Sequence, residues 1–383
     1  MLTPYLSLFL LLLAFAINKK RYVLIFNKQN RNVLSENILY TVLFFFMLIV
    51  ISFSRYRSHD FEYYIYYYNS APTTFNLPNQ IFFSYHIEPI WVFIFTFFRM
   101  LGFSYAIFFI IATMIMVLMV NGFINRYCYE NKTLALVYAY TSFYLVYPYI
   151  GFRQGMAISI FMMFMIPLIE KRRWKAYICM TLFCSLFHTA GFIYMIVPLL
   201  INKSINALYK MLIFSIIFGI LSSFIQIDKA IFGLIPMSSV QHYLEEGNKT
   251  FYIVYRYFFL VLILYSSVYI KRDANSYFIY KLYLIGFIVY FCTCNSYILS
   301  SRLFDSFKFI EIVVYMNFLK YSTNKNNKIV FRIILSLLFV WMLFHHVGAI
   351  NMSIKEITHS YTDYPIWQTP YISFTLKELG FIE

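Results

Sequence analysis

Apolar runs of membrane-spanning size recur along the whole 383-residue chain, and that recurrence limits the fold more than any other feature. The runs lie near 2–17, 38–53, 104–124, 134–150, 155–169, 175–188, 190–201, 211–226, 252–270, 279–298, 303–319 and 330–347. They predict an all-α, polytopic integral membrane protein of about 12 transmembrane helices (10–14), one domain over 1–383. Several runs fall short of the roughly 20 residues that cross an upright bilayer. The 175–201 stretch therefore also reads as one bent span and a re-entrant piece. Only 12% of the residues are charged, where soluble domains average about 25%, so a soluble class is excluded.

Charge sets the orientation. Met1–Ile17 carries no Lys or Arg, whereas Lys19, Lys20 and Arg21 follow it. A cleaved signal would have its positive charge first, so this run reads as a retained span with its N-terminus outside. The cytoplasmic segments are then 18–37, 125–133, 170–175, 202–210, 271–281 and 320–332. They hold 20 of the 31 Lys and Arg but only Glu36, Glu130, Glu170 and Asp273 of the 16 acids. That bias follows the positive-inside rule. The net charge of +15 thus reads as topology and contact with anionic lipid, not nucleic-acid binding. The stretch 90–101 contains Arg99 and would invert every later loop if it crossed; it is expected as an interfacial or re-entrant helix on the outer face. The segment 54–89 is expected as a periplasmic loop rich in tyrosine: Tyr63, Tyr64, Tyr66, Tyr67 and Tyr68.

Under this topology all seven histidines, and the arginines that interrupt apolar sequence, fall on the outer side. Arg153 lies in Tyr149-Ile150-Gly151-Phe152-Arg153-Gln154-Gly155-Met156, between two spans. An arginine near hydrocarbon costs a few kcal/mol, and the simple alternative is a side chain snorkelling to the headgroups. The functional reading is a guanidinium fork for phosphate, with Gly151 and Gly155 letting a ligand approach the backbone. His188, ending the span 175–188, is a proton acceptor, a proton donor or a structural hydrogen bonder. Arg302, Asp305, Lys308 and Glu311 step by three along one expected helix; Lys308 and Glu311 are expected to neutralise each other, leaving Arg302 at the outer mouth as the ligand candidate. Arg55, Arg57 and Asp60 follow the second span, and Glu88 adds a further outer carboxylate. These form either a solvated aromatic-belt exit or a polar rim for sugars. The five cysteines suggest neither a disulfide framework nor a zinc site.

Three blocks carry a resemblance. They are Arg55 and Arg57 with Asp60 and the trailing tyrosines; Gly151-Phe152-Arg153-Gln154-Gly155-Met156-Ala157; and Cys184-Ser185-Leu186-Phe187-His188-Thr189-Ala190-Gly191-Phe192, leading to Pro198. Together they resemble the EpsG-like branch of the Wzy polysaccharide polymerases. Beyond about 54–200 the hydropathy profile, Arg302 and the Tyr371-Ile372-Ser373-Phe374 tail agree. Two departures are visible. Ser58-His59-Asp60-Phe61 lacks the usual Gly before and Tyr after the Asp, and Glu88-Pro89-Ile90-Trp91 replaces Glu-x-Gly-aromatic.

The resemblance implies polymerisation of oligosaccharide repeat units (O-antigen or capsule type) carried on undecaprenyl diphosphate, at the periplasmic face of a bacterial inner membrane. It carries the Arg-Gln block onto Arg153 and Gln154 and the Phe-His block onto Phe187 and His188. The chemistry needs cationic clamps on the leaving diphosphate and a base at the acceptor hydroxyl. Arg153 and Arg302 are the expected clamps, with Arg55 or Arg57 assisting; Gln154 and Glu88 are further substrate-binding candidates, and His188 or Asp60 is the base. No metal or other cofactor is expected. The partners implied are the lipid-linked donor and acceptor, membrane lipids and a chain-length regulator protein. A lipid-linked oligosaccharide flippase, or an integral membrane acyltransferase with His59-Asp60 at its site, stays open from the residues alone.

Overall fold

The computed structural model describes residues 31–53, 59–76, 78, 80, 87–128, 130–148, 151–225, 250–270, 273–322 and 325–358. The expected span 2–17, Arg55 and Arg57 lie outside them. Among the described residues every regular element is helical. Helices are what an apolar chain requires where no water satisfies the backbone. Five are long and apolar enough to cross a membrane: Tyr105–Tyr127, Phe152–Glu170, Ile205–Phe224, Ala274–Thr293 and Asn326–Leu343. Tyr40–Phe53, Pro89–Met100, Thr189–Leu200 and Arg256–Ser267 are shorter apolar helical stretches. This is a membrane-type all-α protein.

The helices gather into two compact units. The first comprises Met1–Met163, Leu186–Thr189 and Ile329–Glu383. Its helices are α1 (Arg31–Phe53), α2 (His59–Ser70), α3 (Pro89–Met100), α4 (Tyr105–Tyr127), α5 (Lys132–Ala139) and α6 (Phe152–Ile160). Helix α1 packs on α4 and α5, and α4 packs on α6. The stretch 90–101 is indeed a short helix, α3. Its 12 residues rise only about 18 Å, well short of the hydrocarbon core. The Tyr-rich segment, expected as a loop, contains α2. Tyr64 and Tyr68, four apart, are buried on one side of it while Tyr63 and Tyr66 are exposed.

Two π turns interrupt the regular ladder. One, Tyr140–Tyr144, continues α5; Thr141 and Ser142 bond back to the carbonyls of Val137 and Tyr138. The other, Phe161–Met165, follows α6 and leads into α7 (Ile166–Glu170). Pro167 has no N–H for the carbonyl of Met163, and the widened turn accommodates that loss.

The second unit, Phe164–Ser185 and Ala190–Lys328, holds α7, α8 (Trp174–Ser185), a 3-10 helix at Thr189–Ile196, α9 (Val197–Leu200), α10 (Ile205–Ile225), α11 (Thr250–Ile270), α12 (Ala274–Thr293), α13 (Tyr297–Lys308) and α14 (Glu311–Tyr321). Helix α12 packs on α10 and α13, and α11 packs on α14. The close approach of α10 to α12 requires Gly219, where a Cβ would fall 2.5 Å from the Phe291 carbonyl oxygen.

Two expectations are corrected in this unit. The run 303–319 is not one helix, because it breaks at Phe309 and Ile310 between α13 and α14. Arg302, Asp305, Lys308 and Glu311 therefore do not share a helix. Nor do Lys308 and Glu311 neutralise each other. The Glu311 carboxylate accepts the Tyr283 hydroxyl, and no ion pair joins it to Lys308 among the described residues. The final helix, α15 (Lys325–Thr358), overruns the expected 330–347 at both ends.

Candidate functional site

The site is built in the first unit, where three of its elements meet. Glu88 stands at the N-cap of α3, before the Pro89 that starts the helix. Arg153 lies in the first turn of α6. Its Nη1 donates to Glu88 Oε2 in an ion pair whose side chains are 31% exposed on the arginine and 11% on the glutamate. The guanidinium carbon also sits 5.7 Å from the centre of the Tyr64 ring on α2. The pair is thus half-sheltered and still reachable.

The arginine is not used up by this pairing. A guanidinium has five N–H donors in a planar fork. Arg153 Nε is buried and makes no hydrogen bond among the described residues. The fork keeps donor capacity in the plane that a bidentate oxyanion uses.

Aromatic packing holds this geometry. Trp91, one turn into α3, is buried against Phe152 (centroids 5.3 Å apart) and edge-on to Phe187 (5.4 Å). Phe152 also stacks on Phe109 of α4 at 5.5 Å and meets Tyr64 at 6.0 Å. The Trp91 indole N–H donates to the Phe187 carbonyl oxygen at 2.8 Å. That bond anchors the backbone where α8 has ended and the 3-10 helix has not begun. His188, the next residue, is buried. The Arg-Gln block and the Phe-His block therefore converge on one tryptophan.

The other candidates stand as follows. Gln154 is buried beside Arg153 in the first turn of α6. Asp60 lies in α2, but its side chain is outside the described residues, as are Arg55 and Arg57 entirely. Arg302 is a half-buried residue of α13 in the second unit. Gly155, expected to admit a ligand, is also a point of close packing. A Cβ at Gly155 would fall 2.6 Å from Tyr147 Cβ and 3.2 Å from Met116 Sδ, so the residue is a packing notch. Trp91 and Tyr64 were not among the expected site residues. The Glu88-Pro89-Ile90-Trp91 motif carried the signal, since a tryptophan three residues after a capping glutamate shares its locality.

Fold and site together define a helical membrane protein with a half-sheltered arginine–carboxylate pair and, one residue past the Phe187 that Trp91 anchors, a buried histidine. The EpsG family model matches residues 37–363, and the chain belongs to that family, the Wzy-like polysaccharide polymerases. No curated protein and no solved structure matches it. The matched range includes Glu88, Arg153, Gln154, His188 and Arg302.

Proposed function

We propose that this protein polymerises oligosaccharide repeat units carried on undecaprenyl diphosphate, as a membrane glycosyltransferase of about a dozen spans acting at the periplasmic face of the bacterial inner membrane. In the reaction the acceptor hydroxyl oxygen bonds to the anomeric carbon of the donor sugar. The bond from that carbon to the diphosphate oxygen breaks, and the electron pair leaves with the diphosphate. The hydroxyl proton passes to a base. Arg153 clamps the developing diphosphate charge, with Arg302 as a second clamp and Arg55 or Arg57 assisting. His188 is the leading base and Asp60 the alternative. Glu88 keeps Arg153 aimed while the remaining donors of the fork meet phosphate oxygen.

The observation that supports this most is the state of Arg153: ion-paired to Glu88 and in contact with Tyr64, yet half-sheltered and with Nε unbonded among the described residues. The test is the surface glycan of a deletion strain complemented with the intact gene. A polymerase predicts glycans capped at a single repeat in the deletion and a restored ladder on complementation. Total loss of the glycan identifies a flippase instead, and normal lengths lacking acyl groups identify an acyltransferase.

The accompanying topology keeps 18–37, 170–175 and 320–332 cytoplasmic and 54–89 and 348–383 periplasmic. In a cysteine-free background, a single cysteine at exposed Ser70 should label from outside and one at exposed Asn326 should not. Outside labelling at Asn326 reverses the map.

A further inference from the structure

Within the first unit a cavity of about 370 Å³ opens between α1, α4 and the start of α5. Its volume falls within the roughly 300–1,000 Å³ of small-ligand sites. Tyr40 and Thr41 of α1, Asn121 and Asn125 of α4 and Lys132 of α5 line it. Among the described residues the lining includes no carboxylate. The Tyr40 hydroxyl donates to Asn121 Oδ1 and accepts from the Asn125 amide, which orients both carboxamides and leaves N–H groups of each for another acceptor. Lys132 makes no ion pair among the described residues. A lysine ammonium and two carboxamides around one space form a donor-rich set, and such a set wants an anion with several oxygens.

The remaining lining says what the anion is attached to. Phe44 and Phe45 complete the cavity wall. Phe45 belongs to the exposed apolar side of α1, with Ile38, Val42, Phe46 and Ile49. In a membrane protein such a side meets acyl chains. The cavity therefore offers polar donors to a headgroup and a continuous apolar track to its tails.

We propose that this cavity binds the phosphate headgroup of an anionic membrane lipid, with Lys132 as its counter-charge and Asn121 and Asn125 as its hydrogen-bond donors. The segment 125–133 is one of the basic segments that the charge bias assigns to the cytoplasmic side, where anionic lipid is enriched. The site is separate from Arg153 and does not depend on the polymerase reading. Its ligand could be a phospholipid or a polyprenyl phosphate; both present the same phosphate.

The test is lipid titration of the purified full-length protein by native mass spectrometry, with phosphatidylglycerol, phosphatidylcholine and undecaprenyl phosphate as probes. Phosphatidylglycerol should bind saturably, and phosphatidylcholine should not displace it. Lys132→Gln should weaken the binding about fivefold, the effect of one lysine near an anionic surface. Asn125→Leu should weaken it as well, while Lys203→Gln, at an exposed cation elsewhere, should leave it unchanged. Unaltered melting of each variant shows that the fold is intact. Tighter, Lys132-dependent binding of undecaprenyl phosphate supports the site and names the lipid carrier as the source. Equal affinity in wild type and Lys132→Gln, equal binding of phosphatidylcholine, or an equal loss in Lys203→Gln overturns the proposal.

Discussion

Glu88 and Glu311 are both carboxylates in largely apolar surroundings, and both stand at a helix start, yet they are held in opposite ways. Glu88 faces a charged partner, Arg153, and the two side chains keep some access to solvent. Glu311 is fully buried and meets a neutral partner, the Tyr283 hydroxyl, inside a wall of packed rings. It ties α12 to α14 where the run 303–319 breaks. The contrast teaches that an expensive charge in a membrane sequence is not by itself a site. Access, and a charged partner with a donor to spare, set Glu88 apart from Glu311, and neither is visible in residue type.

Variants can break this contrast or sharpen it. The largest effect is expected at His188. If it accepts the proton, His188→Ala and His188→Gln should both insert normally and lower polymerisation by about two to four decades. The glycan ladder, normalised to protein level, reads this, and a full ladder from the Gln variant passes the base role to Asp60. Arg153→Lys comes next and should fail nearly as badly as Arg153→Ala. Losing the fork removes roughly 2–4 kcal/mol of transition-state stabilisation, or two to three decades of rate. Full activity of Arg153→Lys at equal abundance would reduce the residue to a generic positive charge.

Trp91→Phe is expected to act more gently. It keeps a ring against Phe152 but strips the donor from the Phe187 carbonyl, costing about 1–3 kcal/mol of stability. The melting temperature in detergent checks this, and the ladder should shorten in parallel as His188 loses its backbone anchor. The smallest effect belongs to Glu311→Gln. It keeps an acceptor for Tyr283 and should melt within about 1 kcal/mol of wild type with a normal ladder, whereas Glu311→Leu strands the hydroxyl and melts earlier. A Glu311→Gln protein that melts normally but makes no polymer would erase the distinction between the two carboxylates.

Hydropathy exposed most helices because each needs a long apolar run, so α4, α10 and α12 lie close to where the sequence puts them. Breaks were harder to see. A window average passes smoothly over Phe309 and Ile310, since both are apolar, although α13 packs there on α12 and α14 on α11. Helix α2 hid for a different reason: its tyrosines read as a belt, although Tyr64 and Tyr68 carry the four-residue spacing of a buried face. At the site, Arg153 and His188 were legible as costly residue types. Their common anchor was not, because the Trp91–Phe187 bond joins residues 96 apart in the chain. The pairing of Arg153 with Glu88 was hidden for the same reason, across 65 residues.

Helix α15 has a consequence of its own. Its 34 residues make a rod about 51 Å long, while the apolar window Asn326–Leu343 covers little more than half of it. Such a rod outreaches a hydrocarbon layer of about 30 Å even when tilted by about 40°. A rod that long has the geometry of a lever. A rotation of about 10° at one end would carry the other through about 9 Å.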